Sequence, residues 1–329
     1  MIKYIIRRIL MLIPVILGVI IVVFTINYFN SSSPAITILG ASATPETIAQ
    51  VEAELGLDKP YLVQLGGYLW NIVSKFDFGT SYIYKTSCMS MILDRLPVTM
   101  FIGVMGVLVS VIIGIPLGIL AAWKQNSALD YSATFCSTIL SALPNFWVAL
   151  MLVLFFSVNL KLLPVSGVSS WKGYILPIVA GALPSLAMFT RMTRSSVLEV
   201  IRQDYVRTAR AKGLAERKVI SHHVIRNGLI PVATVVGMIT ALCMTGSMIS
   251  ERIFNIPGLG LLLYNAIVQN DYIMVQSGAI VTAVIICVMN LITDIAYAFI
   301  DPRIKSQYTA GSRKRAGKQK SAAGSEAAV

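Results

Sequence analysis

The chain has 329 residues, of which 56% are hydrophobic and 13% charged, about half the charged share of an ordinary soluble domain. That balance excludes a soluble enzyme, a disordered chain and a nucleic-acid-binding domain, and indicates an integral membrane protein. The net charge of +12 comes from 27 Lys and Arg against 15 Asp and Glu, and in a membrane protein their placement says more than their sum.

A hydrocarbon core about 30 Å thick requires roughly 20 apolar residues per helix. Six stretches qualify, residues 9–29, 98–123, 133–158, 174–192, 229–249 and 278–300. All six are predicted as helix, because an open sheet edge in lipid would leave its backbone unpaired. The fold class is therefore an all-α bundle of six transmembrane helices. Pro177, Pro184, Gly237 and Gly246 interrupt the fourth and fifth, which is tolerated where neighbouring helices or cavity water satisfy the freed groups. Lys3, Arg7 and Arg8 precede the first stretch, and Ala41-Ser42-Ala43 imitates a signal cleavage site. The apolar core is too long for a signal peptide and lies well before that tripeptide, so an uncleaved span is expected.

With the N-terminus inside, 20 of the 27 Lys and Arg fall in cytoplasmic pieces and seven outside. The positive-inside rule then places both termini in the cytoplasm.

The first external loop, residues 30–97, is too long for a connector and should be partly folded. Thr44-Pro45-Glu46 reads as a helix start with Gly56 as its stop. A second start follows at Asp58-Lys59-Pro60, with Leu62, Leu65, Leu69, Ile72 and Val73 at helical spacing. This second helix is either a lid on the outer mouth or a docking surface for an external partner, and the two are compatible.

The sequence becomes unusual at the cytoplasmic loop 193–228. There the sequence predicts two polar, basic helices divided at Gly213, a left-handed helix stop. Val197, Leu198, Ile201 and Tyr205 form a narrow apolar stripe. Arg207, Thr208, Ala209, Arg210, Ala211 and Lys212 form a small, basic knuckle, and Glu216 sits near the start of the second helix, where the dipole favours a negative charge. Positive-inside bias explains some of this charge. It does not explain about 35 residues with a small-residue junction, which suggest a peg inserted into a partner's groove.

Other chemistry is missing from the sequence. No GxxxxGK[ST] cradles phosphate, so any ATP binds another subunit. His222 and His223 are adjacent and cannot both address one metal from a helix. Cys88, Cys136, Cys243 and Cys287 are dispersed singly and suggest neither a disulfide framework nor a metal site. Gly114 and Gly118 make a GxxxG face suited to packing within the chain, with Pro116 kinking that span. Asp294 is the one carboxylate well inside an apolar run, with Asn290 one turn earlier on the same face. They are the candidates for a polar lining of the bundle, or Asp294 for a structural pair with a loop arginine. The stretch 306–329 is polar, basic and expected to be a disordered, harmless extension, with attraction to anionic membrane lipid as the alternative.

The run Asp204-Tyr205-Val206-Arg207-Thr208-Ala209-Arg210-Ala211-Lys212-Gly213-Leu214 resembles the cytoplasmic loop of binding-protein-dependent ABC transporter permeases, of the B type in the dipeptide/oligopeptide/nickel branch. Arg7-Arg8, Leu55-Gly56-Leu57-Asp58-Lys59-Pro60, Leu96-Pro97-Val98-Thr99 and Gly114-Ile115-Pro116-Leu117-Gly118 strengthen the likeness. So do Glu251-Arg252-Ile253-Phe254-Asn255-Ile256-Pro257-Gly258-Leu259-Gly260, Asp271-Tyr272 and Asp301-Pro302-Arg303. Where the general permease pattern has Glu-Ala-Ala, three residues and Gly, this chain has Arg207, Thr208, Ala209 and then Gly213, which is similar to the peptide-branch version.

The resemblance implies a type I importer permease bundle, with residues 1–30, 31–97, 98–305 and 306–329 as N-terminus with first span, external region, five-span core and tail. It implies that Asp204 to Leu214, with Glu216 and Arg217, dock on two cytoplasmic ATPase subunits, which carry the ATP and magnesium. It further implies a second permease subunit, in a heterodimer, and an extracytoplasmic solute-binding protein, with Glu251, Pro257, Gly258 and Asp271 as candidates for a loop that meets that protein or gates the path. Peptides are the expected cargo, with nickel or a metal chelate as the alternative; a stand-alone secondary transporter is the reading from a different class.

Overall fold

Residues 2–29, 34–40 and 43–300 are described by the computed structural model. Asp301-Pro302-Arg303, the tail 306–329 and Ala41-Ser42 lie outside them. Among the described residues the order is α1 (Ile2–Tyr28), α2 (Pro34–Leu39), α3 (Pro45–Leu55), α4 (Tyr61–Lys75), α5 (Cys88–Trp123), α6 (Ala128–Ala142) and α7 (Asn145–Leu152), followed by α8 (Ile175–Ile201), α9 (Asp204–Ala211), α10 (Glu216–Lys218), α11 (Arg226–Cys243), α12 (Met248–Ile253), α13 (Leu259–Val268) and α14 (Tyr272–Ile300). Two π-helical stretches, Val153–Asn159 and Val219–Ile225, continue α7 and precede α11.

Among the described residues, five helices are long and apolar enough to cross a membrane, or six if one bent pair counts as a single span. The bent pair replaces the predicted third helix: Ala128–Ala142 and Asn145–Asn159 meet at 102°. The cause is Leu143-Pro144. A residue before proline is driven out of the α region, and Leu143 is extended at φ −78, ψ 132. The fourth stretch, by contrast, is an unbroken helix through Pro177 and Pro184. Pro177 occupies the first turn, where no hydrogen bond is lost. The fifth ends at Cys243, short of residue 249, because Gly246 turns the chain with φ +79.

Backbone approach organises the bundle. α5 and α8 run parallel, and Ser110 Oγ donates to Ala182 O over 2.8 Å. A Cβ added at Gly114 would lie 2.9 Å from Leu186 O, and one at Gly118 2.6 Å from Thr190 O. The GxxxG face therefore packs within the chain, where small residues give the close contact that drives helix association in lipid. α1 runs antiparallel to α14, joined by Arg8–Asp294 at 2.5 Å near one end and by Asn27 Nδ2 donating to Gln276 Oε1 over 2.7 Å near the other.

α3 starts and stops as its sequence predicts, with a Thr44–Thr47 capping box and Gly56 at φ +68. α4 lays Tyr68, Leu69 and Ile72 over a core of Phe78, Cys88, Ile92, Leu259 and Met274. Phe24 of α1 meets the rings of Tyr61 and Tyr68. Leu62 and Val73, expected on the same stripe, are 76% and 72% exposed, because the buried register follows the tyrosines instead.

Candidate functional site

The basic elbow is built between two long helices. α8 continues to Ile201, well beyond the predicted residue 192, and the chain then breaks at Gln203, extended at φ −71, ψ 148, before α9 begins. That break resets the register. The predicted stripe through Tyr205 gives way to Val206 and Ala209, which are buried with Ala122, Val197, Val219, Ile220 and Val224. Tyr205 is 43% exposed, and its hydroxyl accepts from Asn227 Nδ2 over 3.1 Å. Ala209, expected on the outward knuckle, is thus an inward anchor of α9. Leu214 is partly buried against the same cluster.

The outward face consists of Asp204, Arg207, Thr208, Arg210, Ala211, Lys212 and Gly213 from the first arm, and Glu216 and Arg217 from the second. Gly213 has φ +77 with open space where a Cβ would point, so the backbone angle alone demands glycine there. Across this turn the Arg210 guanidinium forks onto Glu216, with Nη2–Oε1 at 2.7 Å and Nε–Oε2 at 3.1 Å. A bidentate pair fixes direction as well as distance, so it sets the angle between the arms. The second arm then passes without a break into α11 through the π-helical stretch.

At the root of the elbow, Arg194 grips Asp130 in α6 with Nε on Oδ1 and, at 2.8 Å, Nη2 on Oδ2. Asp130 is 1% exposed and also accepts the amide of Asn126 at 3.0 Å. Arg191 Nη1 donates to Ser137 O over 3.2 Å. Sequence reasoning placed these arginines among the charges of the loop and missed Asp130. Its position three residues after a Ser127 cap was the available signal.

Asp294 pairs with Arg8 of α1 rather than with a loop arginine, and Asn290 is exposed on this chain.

At the other end, the turn between α12 and α13 is tied to the start of α5. Glu251 is 4% exposed and accepts from Thr99 Oγ1 at 2.8 Å and from the Leu261 amide at 2.9 Å. Gly258 is buried beside it, while Pro257 is half-buried and faces outward. Asp271, fully buried, caps α14 and accepts from Ser81 Oγ and from the Tyr82 amide at 3.2 Å, holding the segment after α4. Glu251 and Asp271 are therefore internal ties rather than surface contacts of this chain. Below the turn lies a cavity of about 420 Å³ between α5, α8, α11 and α12, lined among others by Thr99, Gly103, Pro184, Ser185, Cys243 and Glu251.

Residues 114–306 match the family model of the binding-protein-dependent transport system inner membrane component, and residues 1–103 match that of the N-terminal region of such membrane components. Among curated proteins, the chain is 40% identical to the dipeptide transport system permease protein DppB of Alkalihalophilus pseudofirmus, over 93% of this chain and 100% of that one. It is 39% identical to the oligopeptide transport system permease protein AppB of Bacillus subtilis, again over 93% and 100%. Among solved structures, an inward-facing MetNI methionine ABC transporter aligns with a TM-score of 0.56 at 15% identity, covering 65% of this chain and 97% of that one. An amino acid ABC transporter solved with histidines gives 0.51 at 16% identity, over 65% and 94%. At such identities the likeness is one of fold.

Proposed function

The chain belongs to the family of inner membrane components of binding-protein-dependent transport systems, and on that premise we propose that it is the permease subunit of an ATP-driven importer of di- and oligopeptides. It is a transport subunit, with ATP hydrolysis carried out by partner ATPases. The observation that carries the cargo reading is the pair of full-length relatives named for dipeptide and oligopeptide transport.

In this reading the elbow is the coupling element. Both termini and the elbow face the cytoplasm, in keeping with the basic residues gathered at that end. Arg207, Thr208, Arg210, Ala211, Lys212 and Arg217 contact the ATPase, while Val206 and Ala209 hold α9 to the bundle. ATP and magnesium belong to two ATPase subunits, and a second, non-identical permease completes the path. An external binding protein delivers the peptide.

ATP binding draws the ATPases together and shifts the elbows. Because α8 enters the elbow and α11 leaves it, the shift reaches the walls of the cavity directly. A change of state of this kind requires contacts that differ between the two states, and the exposed arms supply them. The turn between α12 and α13 then parts from α5 to admit peptide from outside.

The test is reconstitution. The permease pair, ATPases and binding protein in vesicles are expected to accumulate labelled dipeptide only with ATP on the cytoplasmic side. Uptake by the permeases without ATPases would overturn the reading in favour of a stand-alone carrier. ATP-driven uptake of nickel ions in place of peptide would overturn the cargo.

A further inference from the structure

On the outer side of the turn between α12 and α13 lies a groove of about 700 Å³, formed by three separate parts of the chain. Tyr84 and Arg95 come from the start of α5 and the segment before it, Ser169 from the loop before α8, and Asn255, Pro257 and Asn265 from the turn and α13. The Gly167 amide donates to Phe254 O over 2.8 Å and joins two of these parts. We propose that this groove is a landing site for the C-terminal carboxylate of the incoming peptide, with Arg95 as the cation that receives it; the proposal rests on the peptide-importer reading above.

Charge decides the ligand class. Arg95 is exposed into the groove and makes no ion pair or hydrogen bond among the described residues. Arg8, Arg194, Arg207 and Arg210 each face a carboxylate, and Arg252 lies over the Tyr264 ring at 5.0 Å. No carboxylate lines the groove and Arg95 is the one charged side chain that does, so the groove offers a cation to an anionic ligand. The planar guanidinium matches a carboxylate bidentately. The Tyr84 and Ser169 hydroxyls and the amides of Asn255 and Asn265 can bond the peptide units beside it.

Position decides which anion. Asn255, Pro257 and Gly258 face the groove, while Ile256 and Glu251 face the inner cavity. A single turn thus separates the outer groove from the cavity in the bundle. A ligand held at Arg95 waits on the far side of the element that must open. The terminal carboxylate is the one negative charge that free peptides share whatever their side chains, so a site reading it serves a transporter of many peptides. The groove's volume falls in the range of small-ligand sites.

The test compares dialanine with dialanine amide, each already loaded on the binding protein, using the complete reconstituted transporter. Uptake is counted per loaded binding protein, as the ratio of the two, so that affinity for the binding protein and the amount of active transporter cancel. The wild type is expected to move the carboxylate form about two- to fivefold faster, the range of a partly exposed charge pair. Arg95→Gln is expected to bring the ratio to one, and Arg95→Lys to leave it between. An unchanged ratio in Arg95→Gln overturns the proposal. So does an equal slowing of both forms, which would mean that Arg95 meets an acidic residue of the binding protein. If the wild type moves neither form, the peptide reading itself fails and takes this inference with it.

Discussion

Thr99 Oγ1 donates to the Glu251 carboxylate over 2.8 Å and accepts the Leu259 amide over 2.8 Å. One hydroxyl thereby joins the start of α5 to both sides of the turn between α12 and α13. The glycines around it leave room for this junction and nothing larger: a Cβ added at Gly246 would lie 2.6 Å from Glu251 Oε1. A turn held to α5 by two hydrogen bonds at one hydroxyl, with a cavity on each side, can open as a unit.

Thr99→Val keeps the shape of the side chain and removes the hydroxyl. The Leu259 amide and one Glu251 oxygen then lose their partner inside the protein. Leaving such buried groups unmet costs about 1–3 kcal/mol, so the purified transporter is expected to melt at a lower temperature. Thr99→Ser should melt close to the wild type. Equal melting of Thr99→Val and wild type would show that the junction bears no load.

Burial pushes the Glu251 carboxyl above its ordinary value of 4.5, against the hydrogen bonds from Leu261, Thr99 and Gly260 that favour the charged form. The folded protein therefore holds this proton more tightly than the unfolded chain. Its contribution to stability is complete below the ordinary value and is lost as the pH rises through the raised one. Glu251→Gln has no proton to lose. The melting temperature of wild type minus that of the variant is expected to fall as the buffer is taken from about pH 5 to about pH 8. A difference that rises over that range would contradict the assigned direction.

Ala209 is 6% exposed between α9 and the bundle. Ala209→Leu adds volume to a filled site, which costs about 1–3 kcal/mol where the surroundings cannot yield. Here α9 can yield by lifting away, so the expected result is insertion in the membrane with loss of ATP-driven uptake. Gly213→Val, forced to φ +77, should act likewise. The Arg210–Glu216 pair is a subtler case, being 39% and 46% exposed, and such pairs stabilise by less than about 1 kcal/mol. Glu216→Ala is expected to leave melting unchanged while slowing uptake severalfold. Uptake at the wild-type rate would mean that the angle between the arms is immaterial.

Much of the bundle was legible because lipid imposes long apolar helices, and the elbow because its charge and its Gly213 break that rule. The errors share one cause, the local resetting of helical register. The extended Gln203 moved the buried face of α9 from Tyr205 to Val206 and Ala209, and Leu143-Pro144 bent the third span where the prolines of α8 did not bend the fourth. A proline's effect depends on its place within a helix, which spacing alone does not reveal. The ties between distant segments were hidden for a different reason. Thr99 with Glu251, Asp130 with Arg194 and Arg8 with Asp294 stand far apart in the sequence, and an apolar pattern records that a face is buried without recording what it faces.

Arg194 and Asp130 carry the remaining prediction. Arg194 stands in α8 just before the elbow, and its partner in α6 lies at the foot of the bent span. If the elbow moves α8, this bidentate pair makes α6 follow. Asp130→Asn keeps the size of the side chain and leaves Arg194 facing a neutral acceptor. Breaking a pair with one member buried is expected to lower stability by on the order of 2 kcal/mol. The sharper expectation concerns coupling. With α6 released, the assembled transporter should hydrolyse ATP in response to loaded binding protein yet accumulate less peptide for each ATP consumed, and Asp130→Glu should recover part of that ratio. If peptide moved per ATP is the same in wild type and Asp130→Asn, then α6 does not travel with the elbow, and the drive reaches the cavity through α8 and α11 alone.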